Sequence, residues 1–254
     1  MKNFKRVMTL LLAVTMVAAM FAGCGSKGSD EKLVIGYTIY EPMNYNDENG
    51  KLTGFDTEFA EAVCEKLGVE PEFVIIDWDN KFLELKSKSI DCIWNGMTIT
   101  DEVKNNAAVT KAYVKNAQVV VMNEAKAAEY KTVDAMKGLK FVAEAGSAGE
   151  AAIKDNGLDS AYTAAADQTA ALLEVKSGSA DACVIDITMA NAMTGEGTSY
   201  ENLTSVIELT TEEYGIAFRN DSELTEKVNA IIDELNADGT LPELAEKYNL
   251  TLAF

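Results

Sequence analysis

Residues 83–91, Leu-Glu-Leu-Lys-Ser-Lys-Ser-Ile-Asp, return ninety positions later as Leu-Glu-Val-Lys-Ser-Gly-Ser-Ala-Asp at 173–181, identical at six of nine places. Each copy reads as the end of a helix, a serine-rich turn and the start of an apolar strand, Cys92-Ile93-Trp94 in one and Ala182-Cys183-Val184-Ile185 in the other. A chain that repeats a helix–turn–strand passage at this distance is constrained to two similar α/β units. The offset carries Gly96 onto Asp186. Each should therefore stand where its own strand reaches the carboxyl edge of its sheet, and the two should face one cleft.

The flanking pattern supports two such units. Lys32 to Tyr37 reads as a strand, and Phe55, Phe59, Val63 and Leu67 recur every four residues as a core-facing helix that stops at Gly68. Phe73 to Ile76, Gln118 to Met122, Leu139 to Ala143 and Tyr214 to Phe218 read as further strands. Leu224, Val228, Ile231, Ile232 and Leu235 form a helix stripe, and Thr240-Leu241-Pro242-Glu243 opens a last helix with Thr240 as expected N-cap.

The amino terminus has the order of an export signal. Lys2, Lys5 and Arg6 precede an apolar run from Val7 to Ala22, and Phe21-Ala22-Gly23-Cys24 ends it as a lipobox. Residues 1–23 are thus expected to be removed, leaving Cys24 lipidated and residues 24–31 as a tether. Removal takes away three positive charges and no negative ones, so the formal charge moves from −19 to −22. That excludes nucleic acid as a natural partner. Cys64, Cys92 and Cys183 show no metal-type spacing and are expected to be buried and reduced. The chain has no histidine, which removes Ser-His and Cys-His nucleophile pairs and histidine metal sites. No cofactor motif is present.

Trp94-Asn95-Gly96-Met97-Thr98-Ile99-Thr100-Asp101-Glu102-Val103 resembles the Gly-x-Thr-x-Thr-x-x-Arg signature of extracellular solute-binding lipoproteins of polar amino-acid ABC importers, bacterial solute-binding protein family 3. The resemblance covers nearly all of the mature chain. It implies an α/β fold of the periplasmic-binding-protein type II, with two lobes, a ligand cleft between them and two hinge crossings near Tyr113 to Ala117 and Glu212 to Ile216. Lobe 1 would comprise 32–114 and 215–254, and lobe 2 would comprise 115–214. It also implies capture without catalysis, a small-molecule amino acid or amine as ligand, ABC permease subunits as partner, an extracytoplasmic, lipid-anchored location and a monomer.

The resemblance carries ligand contacts onto Asn95, Gly96 and Thr98, onto Asp186 as holder of an α-ammonium, and onto Ser147 and Ala148 at the start of a helix. Trp78 and Tyr40 would form opposite aromatic walls. Some of these residues also admit structural readings: Trp78 as a core residue at the lobe edge, Asp186 as a helix cap, and Ser147 with Glu150 as a capping box. Two departures matter. Val103 stands where the family's arginine clamps a carboxylate, and Glu144 stands where some relatives place a basic contact, so the pocket reads as tuned for a cation; Lys104 or Lys111 could reach in as a substitute, but either reads more readily as a solvated surface lysine. The alternatives are an enzyme similar to cyclohexadienyl dehydratases on the same scaffold, and a ligand-sensing domain.

Overall fold

The computed structural model describes residues 31–254; the expected export signal and the expected lipidation site, Cys24, lie outside the described residues. The chain opens with β1 (Lys32–Tyr37), the small hairpin β2 (Tyr45–Asn46) and β3 (Leu52–Thr53), α1 (Phe55–Leu67), β4 (Glu70–Ile75), α2 (Lys81–Ser87), β5 (Cys92–Thr98), α3 (Asp101–Asn106), β6 (Ala108–Val109) and β7 (Val114–Asn116). It continues through β8 (Gln118–Asn123), α4 (Glu124–Ala127), β9 (Phe141–Glu144), α5 (Ala148–Asp155), β10 (Tyr162–Ala165), α6 (Gln168–Ser177), β11 (Ala182–Asp186), α7 (Ile187–Met193) and β12 (Leu203–Glu208). It closes with β13 (Glu212–Phe218), α8 (Leu224–Ala237) and α9 (Thr240–Lys247).

Two main sheets result, ordered β4-β1-β5-β13-β6 and β10-β9-β11-β8-β12. They repeat one another. In the first, β1 lies between parallel β4 and β5, and β13 follows antiparallel; in the second, β9 lies between parallel β10 and β11, and β8 follows antiparallel. The chain passes from the first sheet to the second at Ala117 and returns over 209–211, and β7 pairs with the start of β13 beside these crossings. This is the two-lobed α/β architecture of type II periplasmic binding proteins.

The echo holds at atomic detail. The Ser87 hydroxyl donates to the Glu84 carbonyl at 3.0 Å, and the Ser177 hydroxyl donates to the Glu174 carbonyl at 3.0 Å. Lys88 and Gly178 end their helices in the left-handed region at φ 68° and 80°. Leu85 and Val175 are buried, while Leu83 and Leu173 are both exposed.

Helix α1 forms where the four-residue spacing placed it. Phe55, Phe59 and Val63 are fully buried, the Phe59 ring meets Trp94 edge-on at 5.0 Å, and Gly68 closes the helix at φ 73°. Several boundaries differ from the sequence reading: β9 begins at Phe141 and not Leu139, and β13 begins at Glu212, two residues before Tyr214. Strand β4 begins three residues early and runs through Pro71, which an edge strand tolerates because its missing N–H faces no neighbour. At α9 the N-cap is Gly239, not Thr240: the chain leaves α8 and reverses at φ 92°, and the Thr240 amide donates to Asp238 Oδ1 at 3.0 Å. The three cysteines are free and buried, and burial pushes the Cys64 thiol up to about 12. Among the described residues, no helix is long and apolar enough to cross a membrane.

Candidate functional site

The carboxyl ends of β5, β9 and β11 converge on a cavity of about 310 Å³ between the two sheets, within the range of small-ligand sites. Trp78, Asn95, Gly96, Thr98, Ser147, Ala148 and Asp186 all line it, and so does Val103. The structure thus brings seven of the eight expected ligand-contact residues to one place.

Strand β5 ends in a backbone that only glycine fits. Gly96 has φ 56°, and a Cβ there would stand 2.6 Å from the Tyr40 ring. Its amide donates to Asp56 Oδ2 at 2.6 Å, and the Tyr113 hydroxyl donates to the same oxygen at 2.9 Å. The Asn95 side chain is consumed by its own lobe. Its Oδ1 accepts from the Thr38 amide and hydroxyl, and its Nδ2 donates to the Thr38 carbonyl and Asn44 Oδ1, so any solute contact falls to its backbone.

Asp186 occupies the N-cap position of α7 without capping it. Instead Oδ1 accepts from Gln118 Nε2 at 2.8 Å, from the Tyr214 hydroxyl at 2.7 Å and from Asn116 Nδ2, while Oδ2 accepts from Gln168 Nε2 at 2.5 Å. Glu212 Oε1 accepts from the same two amides, Asn116 and Gln118, and from the Thr98 hydroxyl, each at 2.7 Å. Both paired strands at the crossings are therefore tied to the cavity wall. Burial pushes the Asp186 carboxyl up to about 7, the nearby Glu212 charge adds to the rise, and the Tyr214, Gln168 and Asn116 donors oppose it.

Two sequence expectations change. Tyr40 is not among the lining residues: its ring packs behind Gly96, edge-on to Tyr214 at 6.5 Å, and its hydroxyl bonds Thr188 and Tyr214. It links the lobes instead of walling the cavity. The Ser147 hydroxyl caps Glu150 N at 3.1 Å, as its spacing suggested, but the Ser147 amide turns back to the Glu144 carbonyl at 3.3 Å. Ser147 also takes the Ala151 amide, so the first-turn donors of α5 left open are the amides of Ala148 and Gly149.

The cation in the site is one that the sequence does not mark. Lys104 is exposed and Lys111 pairs with Asp233 at 2.5 Å, whereas Lys81, which no sequence motif marks, lines the cavity at 5% exposure. Its Nζ donates to the Gly146 carbonyl across the cleft at 2.8 Å and to the Trp78 carbonyl at 3.2 Å, and it lies 5.2 Å from the centre of the Trp78 ring. Burial lowers its pKa. Against this one lysine the lining contains Asp101, Glu102, Glu144, Asp155 and Asp186, a field that favours positive solutes. Val103 sits in the apolar cluster with Trp78, Ile93 and Met97 at 3% exposure and cannot reproduce an arginine clamp.

Residues 33–251 match the family model of the bacterial extracellular solute-binding proteins, family 3. The chain belongs to that family. The L-cystine-binding protein TcyJ of Escherichia coli strain K12 is 30% identical over 257 residues, covering 94% of this chain and 92% of that one. A solved ancestral arginine-binding protein bound to arginine superposes with TM-score 0.80 at 34% identity, covering 88% of this chain and 99% of that one. An ancestral amino-acid-binding protein described as a precursor of cyclohexadienyl dehydratase superposes with TM-score 0.78 at 30% identity, over 85% of this chain and 95% of that one. The protein is an extracytoplasmic solute-binding component of an ABC import system, and these three relatives are all binding proteins.

Proposed function

We propose that this solute-binding protein is lipid-anchored through Cys24, captures a small amino acid or related amine by closing two lobes on it, and passes it to ABC permease subunits without chemical change. Lobe 1 is assigned to 32–114 and 215–254 and lobe 2 to 115–214, with the paired residues 114–116 and 212–214, which join the first sheet, as the hinge between them. The observation that carries the reading is the joint lining of one cavity by Gly96 and Thr98 of one lobe and Ser147, Ala148 and Asp186 of the other. Contacts divided in this way favour the closed state only when a solute supplies both halves. Amino-acid binding is what the cystine-binding and arginine-binding relatives are named for, and Asp186, whose Oδ2 accepts from Gln168 alone, keeps one acceptor site for an ammonium group.

The enzyme alternative lacks support in the cavity. A dehydratase acting on a carboxylate-rich substrate needs positive anchors, and Lys81, the one basic group among the described residues that line the site, is committed to two carbonyls.

A panel of amino acids, oligoamines and quaternary amines tests the assignment, because a ligand that binds only the folded state raises the melting temperature, by about 2.7 kcal/mol of stability at a hundredfold excess over Kd. Stabilisation by one or more amine-bearing solutes is expected. No shift with any of them would overturn the reading. For the anchor, Cys24→Ser is expected to move the protein from the membrane fraction to the medium, since each buried acyl methylene contributes about 0.8 kcal/mol. Unchanged partition would refute lipidation at Cys24.

A further inference from the structure

Glu144 ends β9, lines the cavity and is only 3% exposed, yet its Oε1 has no hydrogen-bond partner. The neighbouring groups do not supply one. Asp186, reaching in from the end of β11, already accepts from Asn116, Gln118, Gln168 and Tyr214, close to the capacity of a carboxylate. Lys81, from α2, spends its hydrogen bonds on the carbonyls of Gly146 and Trp78. The other groups acting on Glu144 are the charge of Asp167 at the head of α6 and the Thr38 hydroxyl beyond β1, a nearby donor whose bond goes to Asn95 Oδ1 at 2.9 Å. Glu144 Oε1 is therefore a buried acceptor without a donor, on a residue that lines the cavity, in a wall where the other buried carboxylate is already supplied with donors. Leaving such an oxygen unpaired is costly, and a donor arriving with positive charge is the strongest remedy.

We propose that Glu144 is the specificity-determining acceptor of this cavity, taking a hydrogen bond from a positively charged nitrogen of the solute, a guanidinium or an ammonium. The inference rests on the solute-binding reading above and narrows it. Solutes whose corresponding end is neutral leave the oxygen only partly compensated, and solutes with a carboxylate there meet Glu144 and Asp186 together. Val103 fits the same logic, since an arginine at that helix would compete with the solute's cation for the acidic wall.

The probes are arginine and citrulline, which share length and shape and differ in the charge of the terminal group. Titration calorimetry on the purified protein is expected to show arginine binding about tenfold or more tighter than citrulline. Glu144→Gln, nearly isosteric, is expected to erase most of that preference while leaving citrulline affinity within about threefold. Equal affinities in the wild type, or a preference retained by a folded Glu144→Gln chain, would overturn the proposal. So would binding of neutral amino acids alone, an outcome that leaves the solute-binding reading standing. If the panel yields no ligand of any kind, the broader reading falls first.

A second readout needs no variant. Burial, assisted by the charge of Asp186, pushes the Glu144 carboxyl up to about 8, so at pH 7 the empty site holds a proton that a bound cation displaces. Heats measured in buffers of different ionisation enthalpy should report proton release with arginine and less with citrulline. Equal release with both would count against the assignment.

Discussion

Replacing Gly96 by Ala is expected to destabilise the protein by about 2–4 kcal/mol, combining left-handed strain with overpacking, and to weaken solute binding more than tenfold. The new methyl would lie 2.6 Å from Tyr40 Cε1 and 3.1 Å from Tyr214 Cε2, and neither ring can yield freely. Tyr40 is bonded to Thr188 and Tyr214, and Tyr214 to Asp186. A shift of either ring therefore reaches the far lobe and the cavity wall. Gly178→Ala is the control: it has φ 80° but nothing within 4 Å of the added Cβ, so only the strain, about 1 kcal/mol, should appear. Urea denaturation of both variants compares the two costs directly. Equal losses would show that the crowding around Gly96 has been misjudged.

The ligand-free protein should become more stable as pH falls from 8 to 5. Burial pushes Asp56 up to about 7, Asp186 up to about 7 and Glu144 up to about 8, from ordinary values of 3.8 and 4.5. Raised carboxyl groups bind protons more tightly in the folded state, so their contribution is complete below the ordinary values and is lost as pH rises through the folded ones. Between pH 5 and pH 8 the loss should be at least about 3 kcal/mol, the order expected from a single such group. At the acid end the trend reverses. Asp47, Asp134, Asp181 and Asp238 have lowered values from hydrogen bonds and nearby lysines or backbone amides, and they lose those contributions as pH falls through them. Melting temperatures across pH 3.5–9 should therefore peak between about 4.5 and 6. A curve that is flat or rises toward pH 8 would contradict the buried-acid account, and Glu144→Gln should flatten the upper limb.

Much of the fold and cavity is readable in the residues, for physical reasons. The ninety-residue echo implies two like units, and because both strands run parallel to their inner neighbours, Gly96 and Asp186 have to arrive at equivalent sheet edges. Lys81 escapes a sequence reading because it follows Asp77-Trp78-Asp79-Asn80, where polar residues around one tryptophan carry no period that says which side faces in. Residues 78–80 form a short 3-10 turn that tucks Trp78 and Lys81 inward, and the amine then finds a carbonyl 65 positions away. The cluster of Asn116, Gln118, Gln168 and Glu212 around Asp186 is equally hidden. Its members lie on segments brought together only by the crossings and by the pairing of β8 with β11, and isolated polar residues carry no period that announces a partner. Tyr40 is expected on the cavity side of Gly96 and lies behind it, since a linear pattern holds no information on the depth of a ring.

The order of the strands also bears on how the protein comes to exist outside the cell. The second sheet is complete within 118–208, one uninterrupted stretch, whereas the first cannot close until β13 slides between β5 and β6, pairing Phe218 with Cys92 across more than a hundred residues. Contacts so distant along the chain form slowly. As the polypeptide emerges on the far side of a membrane, the half that can finish early is the internal one, and its assembly waits on nothing upstream. The outer half, holding Gly96 and the aromatic cluster, is the last to acquire its shape, so the ability to recognise a solute arrives at the end of maturation.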